Sequence, residues 1–576
     1  MEAFTQHPKK MKPHPSKLLS RKLPIIASAC IYGLALQHVN AQTSLGATDV
    51  LRNIEQSTQE LSRGRYQPAP KKASTSETEK SIARLNEIRV QSPLFQKELM
   101  GYLLTEINKP VSAQKLTEFK TFAWELFQSK GYLAYITTHT QTEANGTVLT
   151  VKVSLPTLNK VSVVTTERNL GKEYIQEVTR RFNAIYKTGM PIDIQGIENQ
   201  LNAASYDLPV DLEVSLKQIN DNGVDVEIHL RLLEAQFGKI LGGVVQANNY
   251  GLSQFGRDQL LGNLRVAGFS PSSELTLTTQ QSTGVGYYRA DYEAPLVGTQ
   301  SRLRTFAGHV KSSNANTEGF SNEAGIGLTS LIHTDRNGRW LASSEVSRRE
   351  TKNLSSDVII SDRVDQQIRL KIRAESSNSW VDSFNNELML AVGRVNLDRL
   401  HSDQTDDAAG LRVAGEYKKL ELTGALSQAL DRDRIYTGSI RWKAQIAAKN
   451  LDSYNRMSLG GISGIRAYSS IDGVGDQGVQ ASFDLIHQIV PDVYGGVFYD
   501  VGMIKNNHSP LINATDKQAY VLQGAGWQVG GKIQQFNWAL AMAQSFGKTP
   551  GAGVWTAANT RPGDFRVNFS VTRAFN

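Results

Sequence analysis

The sequence predicts two small α+β domains in tandem, followed by an all-β transmembrane barrel of about sixteen antiparallel strands. Three observations carry that expectation. A basic leader with a short apolar core marks the chain for export. A helix–strand–strand pattern occurs twice within 83–235. From 236 to the end, short runs with a period of two replace helical periodicity.

The leader comes first. Lys9, Lys10, Lys12, Lys17, Arg21 and Lys22 precede an apolar core at 23–36, and Val39-Asn40-Ala41 offers acceptable residues at −3 and −1 for cleavage before Gln42. Residues 1–41 therefore read as a signal peptide. A retained anchor helix is the competing reading, but the apolar core is short for a bilayer. The only cysteine, Cys30, lies inside this leader, so the mature chain has no thiol for a disulfide, a nucleophile or a metal. The ten histidines lack paired ligand spacing, and no metal or other cofactor is expected. Part of the net charge of +8 belongs to the leader. Export makes nucleic acid a poor partner for the rest.

Residues 42–64 hold one candidate helix, with Thr48 or Asp49 as its cap and Val50, Leu51, Ile54 and Leu61 as a thin apolar stripe. Residues 65–82, with Pro68, Pro70 and a Ser/Thr run, read as a flexible linker that tethers this helix at a distance.

The repeat divides 83–156 from 157–235. Pro110-Val111-Ser112 and Pro191-Ile192-Asp193 each place a proline and a capping residue before an amphipathic helix. Leu116, Phe119, Ala123, Leu126 and Phe127 share one face of the first helix; Ile194, Ile197, Leu201 and Ala204 share one face of the second. Asn145-Gly146 and Asn222-Gly223 then signal type I′ hairpins. After the first turn Leu149, Val151, Val153 and Leu155 alternate with Thr150, Lys152 and Ser154; Val224, Val226, Ile228 and Leu230 repeat that period. Two βααββ units are the economical reading.

In 236–576 the last run is the clearest. Phe565, Val567, Phe569 and Val571 occupy one face, and Arg566, Asn568, Ser570 and Thr572 the other. A large soluble β-sandwich or propeller also has alternating runs. A fully apolar face on the terminal strand of an exported chain favours the membrane barrel.

The most informative stretch is the glycine-rich 459–478, which carries one cation, Arg466, near its centre and Tyr468 beside it. Loops of this length in ordered proteins are usually functional. The segment 480–502 reads as two strands, the second bearing Asp500. Gly473-Val474-Gly475-Asp476-Gln477-Gly478 matches the dinucleotide fingerprint in letters. Its context is wrong, because a loop precedes it and an alternating strand follows where a helix is required. No Gly-x-Ser-x-Gly elbow stands in a strand–turn–helix setting, and an enzyme is not expected.

Leu459-Gly460-Gly461, Ile465-Arg466-Ala467-Tyr468, Gly475-Asp476-Gln477-Gly478 and Phe498-Tyr499-Asp500-Val501-Gly502 resemble the corresponding segments of two-partner secretion translocators of the bacterial outer membrane, the TpsB type. These export hemolysins, filamentous adhesins and contact-dependent inhibition toxins. Ala467 departs from the glycine usual in the wider superfamily, though the variant is common in this branch. Asn576 follows Phe575, where the usual barrel-assembly signal ends on an aromatic; Phe569, Val571 and Phe575 are the candidate residues of that signal.

The resemblance implies an outer-membrane location, with 83–156 and 157–235 as POTRA-like domains in the periplasm and 236–576 as the barrel. It implies one large secreted exoprotein with an N-terminal secretion domain as partner, contact with outer-membrane lipids and the barrel-assembly machinery, and a monomer. The helix at 42–64 is then a plug, and the loop 447–478 inserts into the pore. There Arg466 needs a partner, and Asp500 on a rigid strand offers bidentate geometry. An unfolded client can add a strand to a sheet edge. Thr147, Leu149, Val151, Val153 and Leu155 are the candidate edge, unless that strand is central to its domain. A membrane-protein assembly factor of the same superfamily is the alternative function, and a passive porin leaves the repeats without work.

Overall fold

The computed structural model describes Ala47, Leu51, Ile54 and residues 81–104, 110–143, 146–165, 172–219, 223–232, 238–335, 338–377, 381–510, 519–547 and 560–575. The leader, most of the linker, Val50, Leu61, Asn145 and Asn222 lie outside the described residues.

The first α+β unit comprises β1 (Ser81–Gln91), α1 (Gln96–Leu103), β2 (Pro110–Ser112), α2 (Ala113–Ser129), β3 (Tyr135–Glu143) and β4 (Gly146–Ser154). Its sheet runs β2-β1-β4-β3, with β1 parallel to β4. Phe119, Ala123 and Phe127 of α2 bury their shared face against Leu149, Val151 and Val153 of β4. Pro110–Ser112 pairs with β1 before the helix starts, so this proline serves a short edge strand as well as a helix entry.

The second unit comprises β5 (Thr157–Val164), α3 (Lys172–Ile185), α4 (Ile194–Asp207), β6 (Val210–Gln218) and β7 (Gly223–Leu232) in the order β5-β7-β6. Here the expected cap holds: Asp193 Oδ1 accepts from the Gly196 amide at 3.0 Å. Val178 and Phe182 of α3, Ile197 and Ala204 of α4, and Val224, Val226 and Ile228 of β7 form its core.

Sixteen antiparallel strands then close a barrel. They begin with β8 (Ile240–Asn248), β9 (Gln259–Ala267), β10 (Glu274–Ser282), β11 (Val285–Leu296), β12 (Ser301–Ser313) and β13 (Thr317–Asp335). They continue with β14 (Gly338–Ser355), β15 (Val358–Ser376), β16 (Ser383–Asn396), β17 (Gly415–Ala429) and β18 (Tyr436–Ala447). Two short strands, β19 (Met457–Ser458) and β20 (Val474–Gly475), lie within the following loop. The wall resumes with β21 (Gln477–Val490), β22 (Val493–Lys505), β23 (Ala519–Ile533), β24 (Phe536–Phe546) and β25 (Phe565–Phe575). Closure is made by β25 against β8 in a short ladder from Ser570↔Asn248 to Phe575↔Gly243, continued by Asn249, whose amide donates to Phe569 O and whose Oδ1 accepts from Phe569 N. The pairing of β14 with β15 runs much further, from Gly338↔Ser376 to Ser355↔Val358.

Alternation along each strand sorts the two faces. Ile368, Leu370 and Ile372, Leu388, Leu390 and Val392, and Phe565, Val567 and Phe569 point outward and stay exposed. Asn568, Ser570 and Thr572, between the outward residues of β25, are buried in the lumen. The lumen wall carries ion pairs: Arg289 with Asp291 and Glu323, Arg349 with Glu323, and Arg369 with Glu345.

Ala47, Leu51 and Ile54 are helical, and spacings of four and three put them on one face. They are buried against Leu252, Phe255, Val285, Tyr287 and Val310, at the end of β11 and β12 opposite the turn at Gln300 that Asp207 touches. The Ala47 amide donates to Asn353 Oδ1 at 3.3 Å. Because Ala47 is already helical, the helix starts before the expected cap at Thr48 or Asp49.

Candidate functional site

The long segment between β18 and β21 folds back into the barrel. Its base is closed by Asp476, which is fully buried. The Asp476 carboxylate accepts from the amides of Leu451 at 3.2 Å and His508 at 2.8 Å and faces Arg456 Nε at 3.2 Å. One side chain thus joins both ends of the segment to the next loop. Above the base, β19 pairs with β20 through Met457↔Gly475 and Ser458↔Val474.

The tip holds itself together through its backbone. Ile465 N donates to Leu459 O at 2.7 Å, Gly461 N to Tyr468 O at 2.9 Å and Gly460 N to Asp472 O at 3.1 Å. Such tight crossing explains the glycines. A Cβ at Gly460 would stand 2.0 Å from Ser469 O, and one at Gly475 would stand 2.3 Å from Lys505 O. A Cβ at Gly478 would press on Ile504 at 2.6 Å, and Gly461 has φ +106°. Leu459, Ile465, Ala467 and Tyr468 are buried against Phe498, Ile504, Leu522 and Ala543 of the lumen wall. The alanine at 467 has a structural counterpart: the wall residue opposite is Gly524, where an added Cβ would lie 2.7 Å from the Ala467 methyl.

Gly460→Ala is therefore expected to unseat the tip, whereas Ala467→Gly leaves it in place. Limited proteolysis of the assembled barrel checks this, with a new cleavage inside 459–473 for the first variant only.

Arg466 is 3% exposed and Asp500 0%. The pair is bidentate: Nε to Oδ2 at 2.9 Å and Nη2 to Oδ1 at 2.7 Å. The Arg466 backbone amide also donates to Asp500 Oδ2, at 2.9 Å. Its guanidinium carbon lies over the Phe498 ring, 3.5 Å from the centroid, within cation–π range. Tyr468 packs in the same apolar cluster as that ring.

The sequence reading missed the second carboxylate. Arg466 Nη1 donates to Asp484 Oδ1 at 2.6 Å, and Asp484 also receives Arg441 at 3.1 Å and Gln528 at 3.0 Å. Asp484 stands directly opposite Phe498 across β21 and β22. The signal was present in the alternation of β21, where Asp484 is in phase with the lumen-facing Gln480 and Ser482. Asn568 adds a bond from the last strand to Arg466 O at 3.1 Å.

The strand proposed for client binding needs correction. Thr147, Leu149, Val151 and Val153 belong to β4, which has β1 on one side and β3 on the other, with Leu155 just beyond it. Both edges are occupied, and Leu149, Val151 and Val153 are core residues. The hairpin signal identified the strand correctly, but the crossover that brings β1 alongside leaves no mark in local sequence.

The remaining candidates fall as follows. Leu51 and Ile54 lie in the lumen with Tyr454 and Ile471 of the inserted loop packed against their cluster. Phe569 and Phe575 face outward on β25, and Val571 shares their phase. Among the described residues, no group of His, Cys, Asp or Glu side chains is arranged to hold a metal.

The sequence profile of the haemolysin secretion/activation protein ShlB/FhaC/HecB family matches residues 232–531, just over half of the chain. CdiB from Escherichia coli is similar in structure, with a TM-score of 0.57 at 15% identity over 93% of this chain and 100% of that one. CdiB from Acinetobacter baumannii gives 0.55 at 13% identity over 92% and 99%. BamA from Haemophilus ducreyi, in a form lacking POTRA domains 1–3, gives 0.51 at 12% identity over 86% and 100%. At these identities the likeness is one of fold. No curated protein sequence matches the chain.

Proposed function

This chain belongs to the haemolysin secretion/activation protein ShlB/FhaC/HecB family, and on that premise we propose how it moves its client. It is an outer-membrane translocator of two-partner secretion. The client is one large exoprotein of the hemolysin, adhesin or contact-dependent inhibition class, bearing an N-terminal secretion domain and arriving unfolded in the periplasm. Residues 83–156 and 157–235 receive it there. Since both edges of β4 are filled, strand addition falls to β3, β5 or β6, whose outer edges no described strand covers.

The buried Arg466–Asp500 pair carries this reading. It anchors a long loop inside a lumen that also holds the N-terminal helix, an arrangement suited to a gated path and wasteful in a passive pore. In our reading the helix at 42–64 leaves when a client arrives, while the anchored loop stays. Folding of the client outside then biases transport outward, and no step needs a catalytic group. The outward belt contacts outer-membrane lipid, the aromatic end of β25 is read by the barrel-assembly machinery, and one copy suffices.

Co-expression with a candidate exoprotein, which a very long reading frame beside this gene would supply, tests the proposal. The exoprotein is expected in the medium, and in the periplasm when the translocator is deleted. Normal secretion in the deletion strain, with a loss of other outer-membrane barrels, would instead identify an assembly factor, the function to which the BamA-like fold also lends itself.

A further inference from the structure

The second small domain meets the barrel through one buried carboxylate that the transport site does not use. Asp207, the last residue of α4, is 0% exposed. Its Oδ1 and Oδ2 accept from Arg181 of α3 at 2.9 and 2.8 Å. Oδ2 also accepts from the backbone amide of Gln300 at 2.7 Å, and Gln300 lies in the turn between β11 and β12. Gln300 has φ +53°, a left-handed conformation uncommon for a residue with a side chain. Without Asp207 its amide has no such acceptor where the domain covers the turn.

Neighbouring contacts converge on the same joint. Arg302 Nη1 donates to Tyr206 O at 3.1 Å, and Tyr206 Oη donates to Thr329 O at 3.4 Å. Ala203 packs with Leu331 and Leu341 of the β13–β14 hairpin. On the far side, Arg181 Nε bonds Glu177 at 2.8 Å. The hydrogen bond from Arg180, with Arg181 beside it, holds the Glu177 carboxyl well below its usual range, at about 2.

The apolar core of the domain is complete without this pair. A buried ion pair adds little stability over well-packed apolar side chains, whereas its geometry is demanding. Fixing an orientation is what such a pair does well. Val210, where the edge strand β6 begins, follows Asp207 by three residues, so the joint also sets where that edge starts relative to the pore mouth.

We propose that Asp207 is a positioning residue for transport, holding the second small domain at one pose over the barrel mouth so that a client strand is delivered in line with the pore. The proposal rests on the translocator reading above, but its structural arm does not.

The assembled chain in lipid nanodiscs suits pulsed EPR, since its only cysteine, Cys30, lies in the leader. With Cys30→Ala, Lys187→Cys and His333→Cys, spin labels report the distance between the domain and the β13–β14 hairpin. One narrow distribution is expected in that background, a broad one after Asp207→Ala, and a several-fold fall in secretion with the barrel still heat-modifiable. Arg302→Ala cuts the joint from the barrel side, leaves the domain interior intact and is expected to broaden the distribution too; it decides the matter where Asp207→Ala fails to assemble. An unchanged narrow distribution in the variants overturns the joint whatever the cargo. Broadening with undiminished secretion overturns the positioning role. A narrow distribution in a background that secretes nothing overturns the translocator reading and leaves the joint standing.

Discussion

Arg466→Ala is expected to abolish secretion while the barrel still assembles. The substitution leaves Asp500, fully buried, with only the backbone amide of residue 466 in place of three charge-assisted bonds. Stranding one member of a buried ion pair costs roughly 3–5 kcal/mol. Because each 1.4 kcal/mol is tenfold, that is at least about 10²-fold in the population of the docked loop. Arg466→Lys is expected to fail as well, since an ammonium has no planar fork to serve two carboxylates and a ring face together.

The partners are not equivalent. Asp500→Ala removes two of the guanidinium's bonds and comes close to the arginine variant in effect. Asp484→Ala is milder, because Arg466 keeps its bidentate partner. The Arg466→Ala/Asp500→Ala double variant should be little worse than either single one, as coupled residues are not additive. Exoprotein in the medium, normalised to heat-modifiable barrel, is the measurement. Losses that multiply as independent effects would sink the anchoring role.

Deleting residues 43–64 is expected to raise single-channel conductance several-fold in planar bilayers without unfolding the barrel. Ala47, Leu51 and Ile54 fill lumen space between β11, β12 and the 249–258 loop, and no barrel strand depends on the helix for pairing. Ile54→Asp is a point version of the experiment. It places a carboxylate among Phe255, Tyr287 and Val310, and an unpaired charge in such surroundings drives the helix out. Unchanged conductance in both variants would mean that the helix does not close the ion path.

What could be read from the sequence was whatever depends on local periodicity. Phe565, Val567 and Phe569 alternate with Arg566, Asn568 and Ser570, and the structure divides them between the outer face and the lumen. The expected α+β repeat likewise follows from helix faces such as Phe119, Ala123 and Phe127. What could not be read depends on partners distant in sequence. Strand order made β4 central, and parity alone could not select Asp484 from the other inward residues of β21.

A helix at His401–Ala409 was not foreseen either, because it has no apolar stripe. Its burial comes from Asp403, which receives Arg363 of β15 at 2.6 Å, and from Asp407, which caps the amides of Val413 and Ala414 at 2.8 and 3.0 Å.

The short closure between β25 and β8 makes the wall mechanically uneven. Hydrogen bonds around a barrel share hoop tension in series, so an outward load strains every pairing and parts the weakest. That link is the seam from 570–575 to 243–248, where the Phe575 ring lies over Gly243 so closely that a Cβ there would stand 2.5 Å from Cζ. The long β13–β15 arc acts as the stiff staves of the cask. A client that reaches the pore with a folded knot is thus expected to yield first or to part this joint before any other in the wall.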